Sequence, residues 1–202
     1  MIPNIWCVGR NYADHAKELG NAVPPTPLIF LKAGSCAQFS SIIELPSWAE
    51  EVHHEVELAL RFGPNLRIDG AAVALDLTER RVQSAAKSKG EPWTRAKSFR
   101  GACPISDFKL VRDLSDFDCL DIALAINNDI RQIGNTRDFI FSASFLVEHV
   151  LQYFPVMPGD ILLTGTPAGV GPLNVGDRLR ATLDGKIQIS KEWVVKESPL
   201  RS

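Results

Sequence analysis

His53-His54-Glu55-Val56-Glu57-Leu58-Ala59-Leu60-Arg61-Phe62 alternates in character along its length. Successive side chains of an extended chain point to opposite faces. Glu55, Glu57 and Ala59 therefore share one face, and Val56, Leu58 and Leu60 share the other. The pattern predicts a strand over residues 53–62 with one apolar face. Two carboxylates on one face repel each other unless a positive charge lies between them. A hard divalent cation meets that need, and so does water on the open side of an edge strand. His53 shares the face and is a further ligand candidate.

Working outward, strand signals dominate. Short apolar runs at 5–8, 28–32 and 73–76 are each bounded by turn residues. Pro24-Pro25-Thr26-Pro27 excludes helix and reads as a loop. Thr78 is placed to cap a helix running to about residue 89, where Gly90 and Pro92 stop it. Residues 120–133 read as a hairpin turning at Asn128-Asp129. Residues 179–190 read as a second, with Asp184-Gly185 suited to a type I′ turn. Residues 142–154 form a strongly apolar helix ended by Pro155, and Pro158-Gly159-Asp160 turns into a strand at 161–164. Many strands and few helices, without regular βαβ alternation, predict an α+β fold: a twisted sandwich or roll of sheets.

The chain has 202 residues, 45% hydrophobic and 23% charged, with a net charge of −2. These values suit one globular domain over 1–202 and exclude coiled-coil, collagen-like and disordered classes. No basic excess is available to neutralise a phosphate backbone, so nucleic acid is not an expected partner. No apolar run approaches a membrane span, and the first residues lack the pattern of a secretory signal. Cys7, Cys36, Cys103 and Cys119 are widely spaced without a C-x-x-C pair, and read as four thiols in a reducing compartment. The expected location is cytoplasmic.

Other segments carry chemistry. Asp76 closes an apolar strand, and Arg80 and Gln83 follow at i+4 and i+7. On a helix beginning at once, the three share one stripe, suited to a metal and an anionic ligand or to an ordinary amphipathic surface. His15 and Glu18 at i and i+3 can meet on one helical turn. A carboxylate there raises the basicity of the imidazole; a surface ion pair is the plainer reading. Gly165-Thr166-Pro167-Ala168-Gly169-Val170-Gly171-Pro172 lacks G-K-[ST] and is no P-loop, but its backbone N–H groups can face a carboxylate. Lys97 is a further cation candidate, with Lys32 its competitor.

Together these segments resemble the fumarylacetoacetate hydrolase family, in its short branch of acylpyruvate hydrolases and related isomerases and decarboxylases. The resemblance rests on Val8-Gly9-Arg10-Asn11-Tyr12-Ala13-Asp14-His15, Phe30-Leu31-Lys32, His53-His54-Glu55-Val56-Glu57-Leu58, Leu75-Asp76-Leu77-Thr78, Pro92-Trp93 with Ala96-Lys97, Cys103-Pro104, and Leu163-Thr164-Gly165-Thr166-Pro167 with Gly169-Val170-Gly171-Pro172. It implies that Glu55, Glu57 and Asp76 bind Mg²⁺ or Mn²⁺. It implies that His15 and Glu18 form a water-activating dyad and that Lys97 is catalytic. Arg80, Gln83, Gly165 and Thr166 fall at substrate-contacting positions. The implied fold is the family's mixed β-sandwich roll, usually a homodimer.

The activity expected first is hydrolysis of a C–C bond in a 2,4-dioxo acid, giving pyruvate and a carboxylic acid. The alternatives are decarboxylation or tautomerisation of oxaloacetate or a related acid in the same pocket, and metal binding without turnover. The sequence departs from the family at two places. Arg81 stands where an Asp is common, so altered local pairing is expected there. The stretch from Glu57 to Asp76 is short and lacks most of a surface helix.

Overall fold

A computed structural model describes residues 1–18, 24–111 and 113–198; within these, the side chains of 15–17 are not described. The larger sheet has six strands in the order β10 (Lys109–Leu110), β7 (Ile68–Leu75), β6 (Val56–Phe62), β13 (Ile161–Leu163), β1 (Asn4–Gly9) and β2 (Leu28–Ala33). All its pairings are antiparallel except β1 with β13. The second sheet has five strands: β12 (Asp129–Asn135), β11 (Asp121–Ile126), β15 (Arg178–Asp184), β16 (Ile189–Glu197) and β4 (Ile42–Leu45). β6 packs against β11, and β7 against β15 and β16, so the two sheets form a sandwich. The core between and around them includes Leu58, Leu60, Phe62, Ile122, Leu124, Leu183 and Trp193. This is the α+β sandwich roll expected from the strand-rich pattern.

The described residues form two further small sheets: β14 (Gly171–Pro172) with β5 (Val52–His54) and β8 (Thr78–Glu79), and β3 (Ala37–Gln38) with β9 (Cys103–Pro104). The helices are few: α1 (Ala13–Glu18), α2 (Arg80–Lys89), α3 (Thr94–Lys97) and α4 (Ala143–Tyr153). No helix among the described residues is long and apolar enough to cross a membrane.

Several local expectations are corrected. The strand over 53–62 is broken at Glu55: β5 pairs with β8 and β14, whereas β6 pairs with β7 and β13. Neither face of β6 is open to water, since Glu57 and Ala59 are as buried as Val56 and Leu58. The alternation therefore separates a polar site from an apolar core, and not solvent from core.

Thr78 does not cap α2. It lies in β8, and the Glu79 side chain accepts from Val82 N instead. Because α2 begins at Arg80, Asp76 is not on its stripe. Gly90 ends the helix in the left-handed conformation, as expected. The first hairpin turns one residue early, at Asn127-Asn128, both with positive φ (53° and 72°). This is the pattern of a type I′ turn, for which Asn is suited. In the second hairpin Leu183 pairs with Ile189, so a wide connection replaces the two-residue turn. The apolar helix read over 142–154 forms as α4, and the Ser142 side chain caps it by accepting from Phe145 N.

The short stretch after Glu57 is a tight β6–β7 hairpin. Its register runs from Val56↔Leu75 to Arg61↔Gly70 before a single irregularity. The loss of a surface helix therefore falls at the far end of the hairpin from Asp76. Arg81 takes its own partners, pairing with Glu50 and lying 3.6 Å from Glu51.

Candidate active site

The break at Glu55 builds the site. Asp76 N donates to Glu55 O at 2.8 Å, extending the hairpin ladder one step beyond Val56↔Leu75. Register thus brings Asp76, distant in sequence, beside Glu55 and Glu57. Ligand oxygens of the three carboxylates lie within 4.8 Å of one another, and all three residues are buried. His53 is not among them; its Nε2 is 2.8 Å from Glu51 Oε1.

Three cations converge on the triad. Arg80 Nη2 donates to Glu55 Oε1 at 2.5 Å. Lys97 Nζ donates to Glu55 Oε2 at 2.9 Å and Asp76 Oδ2 at 2.5 Å. Lys32 Nζ is 2.7 Å from Asp76 Oδ1. Burial alone would pull the Lys97 ammonium pKa down, but Asp76 and Glu55 outweigh it, and the net shift is upward. Lys97 is therefore held as an ammonium and is not available as a base. Among the described residues Glu57 has no ion-pair partner, and burial followed by the Asp76 and Glu55 charges pushes its carboxyl well above the usual range, against the smaller pull of Lys97. Gly165 N steadies it with a 2.6 Å hydrogen bond to Oε2.

The two lysines that the sequence left in competition have different places. Lys97, from α3, lines the pocket. Lys32, from β2, is fully buried and also donates to the carbonyls of Leu77 and Ala102 at 3.0 Å and to that of Lys97. It clamps the segments carrying Asp76 and Lys97 to the sheet.

The donor set fits Mg²⁺ or Mn²⁺. All donors are carboxylate oxygens, which these hard ions prefer. Asp76 Oδ1, buried and with an ion-pair contact only, accepts no well-aligned hydrogen bond. Glu57 sits in a field that calls for added positive charge.

Around the triad, Arg80, Gln83 and Thr166 line the pocket with Lys97. Arg80 Nη1 donates to Gln83 Oε1 at 2.9 Å, which leaves the amide NH₂ of Gln83 for a ligand. Gly165 has φ +100°, and a Cβ there would lie 2.6 Å from Asn11 Cβ. Its N–H serves Glu57, so its contact with the site runs through that carboxylate. Glu18, at the end of α1, accepts from Gly169 N at 3.1 Å and so ties the helix to the glycine-rich loop. His15 lies in α1, but its side chain, and with it the His15–Glu18 contact, falls outside the described residues.

The sequence reading missed Gln132, a buried amide on an otherwise largely exposed strand. Its Oε1 receives Val56 N at 3.0 Å and faces His54 Nδ1 at 2.9 Å. Val56 N can only donate, so the amide orientation follows. Gln132 Nε2 then donates to Thr166 Oγ1 at 2.8 Å and Pro167 O at 2.9 Å. The Thr166 hydroxyl, already an acceptor from Gln132, keeps its own proton for the pocket. No local motif signals Gln132, because its partners come from β5, β6 and the 165–172 loop.

The chain resembles named proteins and solved structures along most of its length. The mitochondrial oxaloacetate tautomerase of Arabidopsis thaliana is 42% identical, over 97% of this chain and 93% of its own. The oxaloacetate tautomerase of Escherichia coli K12 is 41% identical, over 91% and 90%. Among solved structures, the fumarylpyruvate hydrolase of Pseudomonas aeruginosa, in complex with Mn²⁺ and pyruvate, superposes with a TM-score of 0.89. It is 29% identical and covers 98% of this chain and 91% of that one. Residues 4–192 match the C-terminal family of fumarylacetoacetate hydrolase. By profile, identity and architecture alike, the chain belongs to the fumarylacetoacetate hydrolase family.

Proposed function

We propose that the protein is a divalent-metal-dependent oxaloacetate tautomerase, interconverting enol and keto forms by moving a proton between O2 and C3. The observation that carries this reading is the buried Glu55–Glu57–Asp76 cluster with Lys97 on it, in a chain about as similar to named oxaloacetate tautomerases as 42%. The relatives thus favour what the sequence reading held as its alternative over C–C hydrolysis.

Glu55, Glu57 and Asp76 are the residues that would hold Mg²⁺ or Mn²⁺. When bound, the ion supplies a Lewis acid that stabilises negative charge developing at a 2-oxo group. Lys97, held as an ammonium, offers a proton and positive charge to O2. Thr166 Oγ donates to a substrate carboxylate, with Gln132 holding the hydroxyl in that orientation. The Gln83 NH₂ donates beside it. His15, with Glu18 at the other end of its turn, is assigned the proton at C3. Moving that proton between carbon and the pocket needs no attacking water, which separates tautomerisation from hydrolysis in the same site.

The test is decay of the enol form of oxaloacetate, followed by absorbance with Mg²⁺ or Mn²⁺ and after chelation. Metal-dependent acceleration without matching pyruvate release is the expected result. No acceleration, together with cleavage of an acylpyruvate to pyruvate, would overturn it. That second reading has its own support in the likeness to the Mn²⁺- and pyruvate-bound fumarylpyruvate hydrolase.

A further inference from the structure

The inner pocket is balanced in charge. Three carboxylates (Glu55, Glu57 and Asp76) face three cations (Lys32, Arg80 and Lys97), and each cation has a carboxylate within ion-pair distance. The mouth is not balanced. Two more cations line it: Arg10 from the end of β1 and Lys87 from α2. Among the described residues, neither has a carboxylate partner.

Their placement is built into the fold. Lys87 follows Arg80 and Gln83 at i+7 and i+4, so α2 presents all three along one stripe toward the pocket. The Lys87 ammonium sits 5.0 Å from the centroid of the Trp93 ring. Arg10 reaches the pocket from the opposite wall. Its φ of +60° is a left-handed conformation that a side chain of this kind rarely takes. The Lys87 ammonium is pushed below the usual lysine range, first by partial burial and then by the nearby Arg80, Arg10 and Lys97 charges. Cations from two walls therefore converge at the mouth, where, among the described residues, neither is ion-paired and the pocket's carboxylates lie deeper, engaged with Lys32, Arg80 and Lys97.

We propose that Arg10 and Lys87 form a second carboxylate subsite, which takes the far carboxylate of a four-carbon 2-oxo dicarboxylate and selects dianionic over monoanionic substrates. The inference rests on the reading of the inner pocket as the site of the 2-oxo acid end. Oxaloacetate presents two carboxylates separated by two carbons. With its C1 carboxylate and C2 oxygen at the inner cluster, its C4 carboxylate is directed toward the mouth. An acylpyruvate with an uncharged tail gains nothing there.

The probes are malate and 2-hydroxybutyrate, titrated calorimetrically into the Mg²⁺-loaded protein. They share the 2-hydroxy acid end and differ only in a far carboxylate against a methyl group. The parent protein is expected to bind malate at least tenfold more tightly, as a charge-assisted contact implies. Lys87→Met and Arg10→Met should each bring that ratio toward one, with 2-hydroxybutyrate affinity changed less than twofold. Lys87→Glu should favour 2-hydroxybutyrate. Lys87 is exposed, so its variants have little reason to misfold. A parent ratio near one, no detectable malate binding, or a ratio unmoved in Lys87→Met would overturn the subsite. A strong malate preference that Lys87→Met abolishes, in a protein inactive on enol oxaloacetate, would keep the subsite and overturn the tautomerase reading instead.

Discussion

Replacing Lys32 with Met separates a structural lysine from a site lysine. Lys32 is fully buried, 2.7 Å from Asp76 Oδ1, and serves the carbonyls of Leu77, Lys97 and Ala102. Methionine keeps the apolar stem and removes all four contacts. Removing one partner of a buried ion pair destabilises by about 3–5 kcal/mol. Three carbonyls left without their donor move the loss toward the upper end of that range. At roughly 2–4 °C per kcal/mol for a chain of this size, the melting temperature should fall by about 6–20 °C.

Lys97→Met also removes a buried ammonium, but from the pocket side of the triad. There a divalent ion can replace the lost charge, contributing about 2.7 kcal/mol at a hundredfold excess over its Kd. The assay is thermal unfolding of both variants with Mg²⁺ and with chelator. Mg²⁺ should recover much of the loss in Lys97→Met and leave the gap between Lys32→Met and the parent open. A Lys32→Met melting point within 2 °C of the parent (well under the shift from ~3 kcal/mol), or equal rescue of both variants, would refute the assignment of Lys32 as a clamp.

Further outcomes follow from the same contacts. Glu57→Gln should abolish the rise in melting temperature that Mg²⁺ or Mn²⁺ gives the parent, since it removes one of three donors; an undiminished rise places the ion elsewhere. Gly165→Ala should lower stability by at least about 1–3 kcal/mol, the scale of a strained backbone position. It should also weaken Mn²⁺ binding in calorimetry, because the new Cβ meets Asn11 and displaces the N–H that holds Glu57. A thiol reagent should modify Cys119 alone in the native protein and all four cysteines after denaturation. Cys7, Cys36 and Cys103 are buried, and burial pushes the Cys103 thiol up to about 12. Light scattering should give twice the chain mass of 22.2 kDa, the homodimer implied by the family resemblance; a monomer at micromolar concentration contradicts it.

Side-chain chemistry with a short period is legible in the sequence itself. The alternation through β6, the apolar runs of β1 and β2 and the apolar helix before Pro155 reflect local rules of backbone geometry, so they read directly. The motifs also singled out Glu55, Glu57, Asp76, Arg80, Gln83, Lys97 and Thr166, which the fold brings to one pocket. Long-range decisions did not read. That Glu55 ends one strand and begins another depends on partners elsewhere in the chain, Thr78 and Glu79 for β5 and Ile68–Leu75 for β6, which capture the two strands into different sheets. Lys32 and Lys97 look alike in sequence. Both are buried; only the carbonyls of Leu77, Lys97 and Ala102 make Lys32 a clamp, while the pocket wall makes Lys97 a site residue. Gln132 gains its role solely from Val56, His54 and Thr166 closing around it. Sequence alone determined which groups are available and which local elements carry them. Tertiary packing decided which groups lose water and face one another, because desolvation and charge pairing arise only when distant segments meet.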